Sequence, residues 1–260
     1  SSNGWRGTDT RDGRSATVNM TSDKRVEVTF RQKSPITLAN QSWEYLGNAR
    51  RDTGEGYVVL TGTGDEEIGV IWLPKGVGKY FTADFQYWAG GSDNGSGLVF
   101  MFHKDHSYIP TYGGCLGFVP KGTGGFQCGS ADGYGIEFDA FQSGLSSRMF
   151  KETVGEQSGN HIALISGSPG IHLAVVDDQR VEDGKWHKVR VEVKPKSLGR
   201  VDLVQGRCRV GGPTCPPHPT TSPPRPGDNL FYATVTVSVD GQRVLLWEGT
   251  LDKTHTAIGF

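Results

Sequence analysis

Apolar and polar residues alternate with a period of two along much of the chain, the pattern of strands buried on one face. Tyr80-Phe81-Thr82-Ala83-Asp84-Phe85-Gln86-Tyr87-Trp88 keeps the alternation for its whole length. Residues 186–193 and 232–239 do the same, and Asp240-Gly241 then supplies a hairpin turn into Val244-Leu245-Leu246-Trp247. Shorter strand patterns run over 26–30, 43–46, 57–60, 68–73 and 161–165. Leu98-Val99-Phe100-Met101-Phe102 is apolar throughout, which predicts a strand covered on both faces. Gly135-Ile136-Glu137-Phe138-Asp139-Ala140-Phe141 predicts a strand carrying two carboxylates. By the same pattern Trp72, Trp88, Trp186 and Trp247 are expected in the core, whereas Tyr108 and Tyr112 fall in loops. No segment shows a long helical period. The prediction is an all-β, two-sheet antiparallel β-sandwich of the jelly-roll type.

The 260 residues suit one large sandwich domain. Residues 1–24 are polar and read as an extended lead-in, leaving 25–260 as the domain. One stretch breaks the strand pattern: seven of the fourteen residues from Pro213 to Pro226 are proline. Proline cannot donate to a ladder, so an insertion over about 195–229 is expected in the connection between two pairing strands. Too few strands follow it to build a second core.

Lysine and arginine total 27 against 28 acidic residues, a net charge of -1. That balance carries no footprint for nucleic acid or an anionic membrane. No run of 18 apolar residues predicts a membrane span, and Ser1-Ser2-Asn3-Gly4 is no signal peptide. Cys115 and Cys128 bracket a Gly-rich loop, and Cys208 and Cys215 a short Gly/Pro loop. Neither spacing is that of a zinc ribbon. Two local disulfides are expected, with four free thiols as the alternative, and disulfides imply an extracellular setting. N-glycosylation acceptors begin at Asn19, Asn40 and Asn94 and agree with that setting.

Glu137 and Asp139 carry the candidate chemistry. Two residues apart on a strand, they point to one face, while Ile136, Phe138 and Ala140 supply the other. Two carboxylates on a partly buried face repel each other and resist desolvation. A solvated face, a cation, a basic partner or a shared proton would each resolve this. Oxygen-bearing residues follow at Ser143, Ser146, Glu152, Glu156 and Asn160, then His161. Calcium takes six to eight oxygens, and carboxylates with a histidine suit a transition metal. The alternative for His161 is an ordinary core or surface histidine, and His187, after Trp186, is expected to be structural.

The strand 135–141 with Asn160-His161-Ile162-Ala163-Leu164 resembles the metal-binding segment of L-type (legume-lectin-like) lectins, of the concanavalin A-like superfold. Gly95-Ser96-Gly97-Leu98-Val99-Phe100-Met101-Phe102, Gly113-Gly114-Cys115-Leu116-Gly117-Phe118 and Thr256-Ala257-Ile258-Gly259-Phe260 resemble further blocks of that family in the same order, over roughly 55–260. The resemblance implies a calcium-dependent carbohydrate-binding domain with glycans as partners. It makes Glu137 and His161 ligands of a second metal such as manganese and Asp139 a bridging ligand. Phe141 would offer its carbonyl to calcium, and Ser143 and Glu156 stand where the family has asparagine and aspartate. Gly113 and Gly114 would present backbone N–H groups to the sugar. Ser96 stands where the family has its sugar-binding aspartate, and Asp93 or Asn94 could substitute. Weak single sites would favour several copies, in a homo-oligomer or a larger extracellular assembly.

Two other readings stay open. A structural subunit of a filament or surface layer could use the same fold. Retaining β-glucanases of related fold place E-x-D-x-x-E on one strand, and here the last position is Gln142, which cannot act as general acid. No catalytic activity is expected. Gly184-Lys185-Trp186-His187 also resembles laminin-G-like sandwiches.

Overall fold

The computed structural model describes residues 4–6, 10–12, 15–17, 27–29, 42–64, 66–73, 76–90, 96–104, 116–119, 131–140, 159–167, 171–196, 229–252 and 254–260. The chain groups into two compact units, Ser1–Gln41 and Ser42–Phe260. In the first, β1 (Gly4–Arg6) pairs with β4 (Glu27–Thr29), and β2 (Thr10–Asp12) with β3 (Ser15–Thr17), all antiparallel.

The second unit holds β5 (Glu44–Gly47), β6 (Arg50–Arg51), β7 (Val58–Val59), β8 (Gly69–Leu73), β9 (Phe81–Trp88) and β10 (Gly97–His103). It continues with β11 (Gly133–Asp139), β12 (His161–Ser166), β13 (Ile171–Asp177), β14 (Trp186–Pro195), β15 (Leu230–Val239), β16 (Gln242–Asp252) and β17 (Ala257–Gly259). Apart from the small β6–β7 ladder these form two sheets: seven strands in the order β13-β12-β11-β10-β17-β8-β5, and four in the order β16-β15-β14-β9. The only helix among the described residues is a 3₁₀ turn at Gln179–Glu182. The all-β, two-sheet antiparallel sandwich expected from the alternation is the fold of this unit.

Period two explains the core. In β14 His187, Val189, Val191 and Val193 are buried and the residues between them are more exposed; in β15 Phe231, Ala233, Val235, Val237 and Val239 are buried. The apolar side chains among these share one core cluster with Phe100, Phe102, Ile136, Phe138, Ile162 and Leu164 of the larger sheet. Rings interlock there: Phe85 stacks on Phe100 at 5.5 Å, and Tyr87 tilts against Phe138 at 4.8 Å. Each such side chain removed from water contributes about 1.5–3 kcal/mol before the ordering cost. Asp240 and Gly241 both have positive φ, 51° and 80°, as a two-residue hairpin turn of the predicted kind requires.

The same alternation gives the larger sheet a second apolar face, where Val70, Trp72, Val99, Met101, Ala163 and Ile165 pack with Phe118, Val119 and Ala131. β10 and β12 are therefore covered on both faces, as the continuous apolar run in β10 predicts. The tryptophan expectation divides. Trp72 is fully buried, but Trp88 and Trp186 are about half exposed. They are opposite each other on the outer face of the four-stranded sheet. The opposite phase of β9 and β14 carries Phe85, Tyr87, Val189 and Val191, which offer more apolar area to the core.

β14 and β15 pair from Val189↔Val239 to Pro195↔Ala233, so the proline-rich stretch lies between two hydrogen-bonded neighbours.

Candidate metal centre

Glu137 is opposite Val99 on one side and Ala163 on the other, and both belong to the outer apolar cluster of the seven-stranded sheet. Directly opposed residues share a face, so Glu137 and Asp139 project outward and not between the sheets. They are nonetheless 1% and 4% exposed. The solvated-face reading is therefore excluded, and the question of what neutralises them becomes sharp.

His161 starts β12 opposite Asp139 and projects to the same face. A third side chain joins from β13, and the sequence had not singled it out. Up to Leu164↔Ala174 the β12–β13 register is regular; it then shifts, so that Ile165 is opposite His172. The extra residue in β13 is a β-bulge. Without it Ile165 would be opposite Leu173, and His172 would turn to the inner face. With it, His172 shares the outer face with Ile165 and approaches Glu137.

The result is a compact, fully buried group. Glu137 Oε2 is 3.0 Å from His172 Nε2 and 3.9 Å from His161 Nε2. The imidazoles meet edge to face with ring centroids 5.6 Å apart. One ligand atom from each of the three residues lies within 4.8 Å of the others, and both histidines are 0% exposed. Two donors bound tetrahedrally at zinc-to-nitrogen or zinc-to-oxygen lengths are about 3.3 Å apart, so a small adjustment would seat an ion. Chemically, two imidazoles and one carboxylate fit a transition metal. They do not fit calcium, which requires an oxygen shell. Without an ion, the same geometry lets His172 Nε2–H donate to the carboxylate.

The rim of this group is built by the adjoining strand ends. Ala140 N–H donates to Ser96 O at 3.2 Å, which holds Ser96 beside the end of β11. Gly97 opposes Asp139 with φ +123°, and a Cβ there would come within 2.1 Å of Phe138 O, so only glycine fits. Asp178 N–H donates to Asn160 O at 3.1 Å and closes the other side. Glu137, Asp139, His161 and Ser96 thus gather at one end of one sheet. Phe141, Ser143, Glu156, Asp93, Asn94, Gly113, Gly114, Gln142, Tyr108 and Tyr112 lie outside the described residues, as do Cys115, Cys128, Cys208, Cys215, Asn19 and Asn40.

A second histidine cluster lies elsewhere. His187 is 5% exposed, with Nδ1 2.7 Å from Asp240 Oδ2 and Nε2 2.8 Å from Asp183 Oδ1. Carboxylates only accept, so both contacts are satisfied when both ring nitrogens carry protons. Burial pulls its pKa down, but the bonds to Asp240 and Asp183 outweigh burial and hold it above the ordinary imidazole value. The His187 bond in turn holds Asp183 down at about 2. Its role is structural, as expected: it fastens the residues before β14 to the β15–β16 turn.

The sequence matches no protein-family model and no curated protein sequence. The structure is similar to peanut lectin bound to a nine-residue peptide, at 14% identity and a TM-score of 0.51 over 86% of this chain and 84% of that one. Weaker likenesses are the VIP36 exoplasmic/lumenal domain in a calcium- and Man3GlcNAc-bound form and the metal-free Emp46p carbohydrate recognition domain. VIP36 has 13% identity, a TM-score of 0.49 and coverage of 84% and 74%; Emp46p has 13%, 0.47, and 84% and 78%. The likeness to peanut lectin shows the fold alone, a concanavalin A-like β-sandwich.

Proposed function

We propose that this chain is a calcium-dependent carbohydrate-binding domain of a secreted or cell-surface protein, and not an enzyme. The observation that carries the reading is the gathering of Ser96, Asp139 and His161 at one strand end of a lectin-type sheet. Asp139, the Phe141 carbonyl, Ser143 and Glu156 would hold calcium, and Glu137 with His161 a transition metal. Bound calcium supplies a rigid anchor for the loop after β11. Ser96, Gly113, Gly114, Ser143 and Asp93 or Asn94 would hydrogen-bond sugar hydroxyls along that rim, and a loop tyrosine would stack on the ring. Local disulfides Cys115–Cys128 and Cys208–Cys215, glycans at Asn19, Asn40 and Asn94, and the insertion at about 195–229 belong to the same extracellular reading. Among the described residues no helix is long and apolar enough to cross a membrane.

The test is a glycan array with the purified chain, with and without chelator. Glycan signal that disappears on chelation and in Asp139→Ala supports the lectin. Ordered polymers without glycan binding would transfer the fold to a structural subunit, and release of reducing sugar from a β-glucan would make it a hydrolase.

A further inference from the structure

We propose that Glu137, His161 and His172 form a nitrogen-rich site for a borderline divalent cation of the zinc type, with His172 as the third protein ligand. The proposal builds on the metal reading of Glu137 and His161 but needs neither calcium nor a sugar. The resemblance implies one imidazole at this place, whereas the fold delivers two. The second comes from β13 through the register shift after Leu164↔Ala174.

Three observations point the same way. The donor atoms of all three residues lie within 4.8 Å of one another, close enough for one ion to touch each. Their side chains are at most 2% exposed and come from adjacent strands, so the donors are held before any ion arrives. Apolar residues wall the group: Val99 and Ala163 flank Glu137, and Ile165 opposes His172. Such a site is shielded from bulk water. Calcium and magnesium favour all-oxygen shells, and magnesium keeps several waters. Imidazole nitrogen favours zinc, nickel, cobalt and copper. Two histidines and a glutamate leave one tetrahedral position for water or for another side chain.

The full chain, stripped with chelator and dialysed, would be titrated with Zn²⁺ and separately with Ca²⁺, with uptake read by elemental analysis. One equivalent of zinc is expected, displaced by excess calcium only poorly. His172→Ala should weaken zinc binding by at least about a hundredfold. Should His172→Ala misfold, the wild-type chain loaded with Co²⁺ serves instead, and two hyperfine-shifted imidazole N–H resonances are expected. No zinc uptake, uptake unchanged in a folded His172→Ala, or a single shifted imidazole overturns the proposal. The two readings fail separately: zinc uptake without glycan binding removes the lectin alone, and chelator-sensitive glycan binding without zinc uptake removes this site alone.

Discussion

Two histidine–carboxylate clusters in one sandwich differ in burial and in the number of imidazoles that meet each acid. Around His187 one imidazole faces two carboxylates, Asp183 and Asp240, which are 24% and 41% exposed in their side chains. Both ring nitrogens are committed and water still reaches the acids, so the cluster is a solvated clamp. Around Glu137 two imidazoles approach one carboxylate, with Asp139 a second buried acid on the same face opposite His161, in a space walled largely by apolar residues. A clamp needs opposite charges, whereas a metal centre needs several neutral or anionic donors pointing at one spot. The residue types match, and only number and burial differ.

The sharpest way to separate the clusters is to add metal. Zinc at about a thousand times its Kd stabilises the folded state by about 4 kcal/mol, which for a unit of this size raises Tm by roughly 8–16 °C. Differential scanning fluorimetry with and without chelator should show that shift, and Glu137→Gln should abolish it. An unchanged curve would reduce the Glu137 group to a hydrogen-bonded triad.

The clamp should respond to pH and ignore chelator. His187→Ala removes two charge-assisted hydrogen bonds and the contact with the Tyr87 ring at 5.7 Å, at a cost of roughly 1–3 kcal/mol. The sign follows from its raised pKa. The stabilisation is fully present below the unfolded value of about 6.5 and is lost as pH rises through the folded value. Urea midpoints measured from about pH 6 to 9 should therefore fall in the wild-type chain, and that slope should vanish in His187→Gln. A slope that persists in the variant would assign it to another group.

The smallest effect is expected from the outer pair Arg190–Asp84, bonded at 2.6 and 3.1 Å but 57% exposed on both sides. Water and salt screen such a pair, so Asp84→Ala should leave Tm unchanged within error by the same fluorimetric scan. A measurable loss would mean that exposure is a poor guide to how clamps on this sheet work, including that at His187.

Much of this was readable from local pattern. The period-two runs located β9, β14 and β15, and Asp240-Gly241 marked the turn from β15 into β16. Glu137 and Asp139 were legible as a same-face pair because strand side chains alternate whatever the surroundings. His161 was legible as a candidate next to them. The tryptophans were only half legible: alternation sorts Trp88 from Phe85 but does not say which phase turns inward.

The chain sequence by itself determined strand identity, the two faces of each strand and the pairing of acids on β11, since backbone sterics and neighbouring residues decide those. Tertiary structure alone decided that the acid-bearing face would be sealed by Phe118, Val119 and Ala131. It also decided that a one-residue slip would bring His172 to Glu137. A slip of one residue costs little locally yet exchanges the faces of everything beyond it, so its position is set by the packing of both sheets at once.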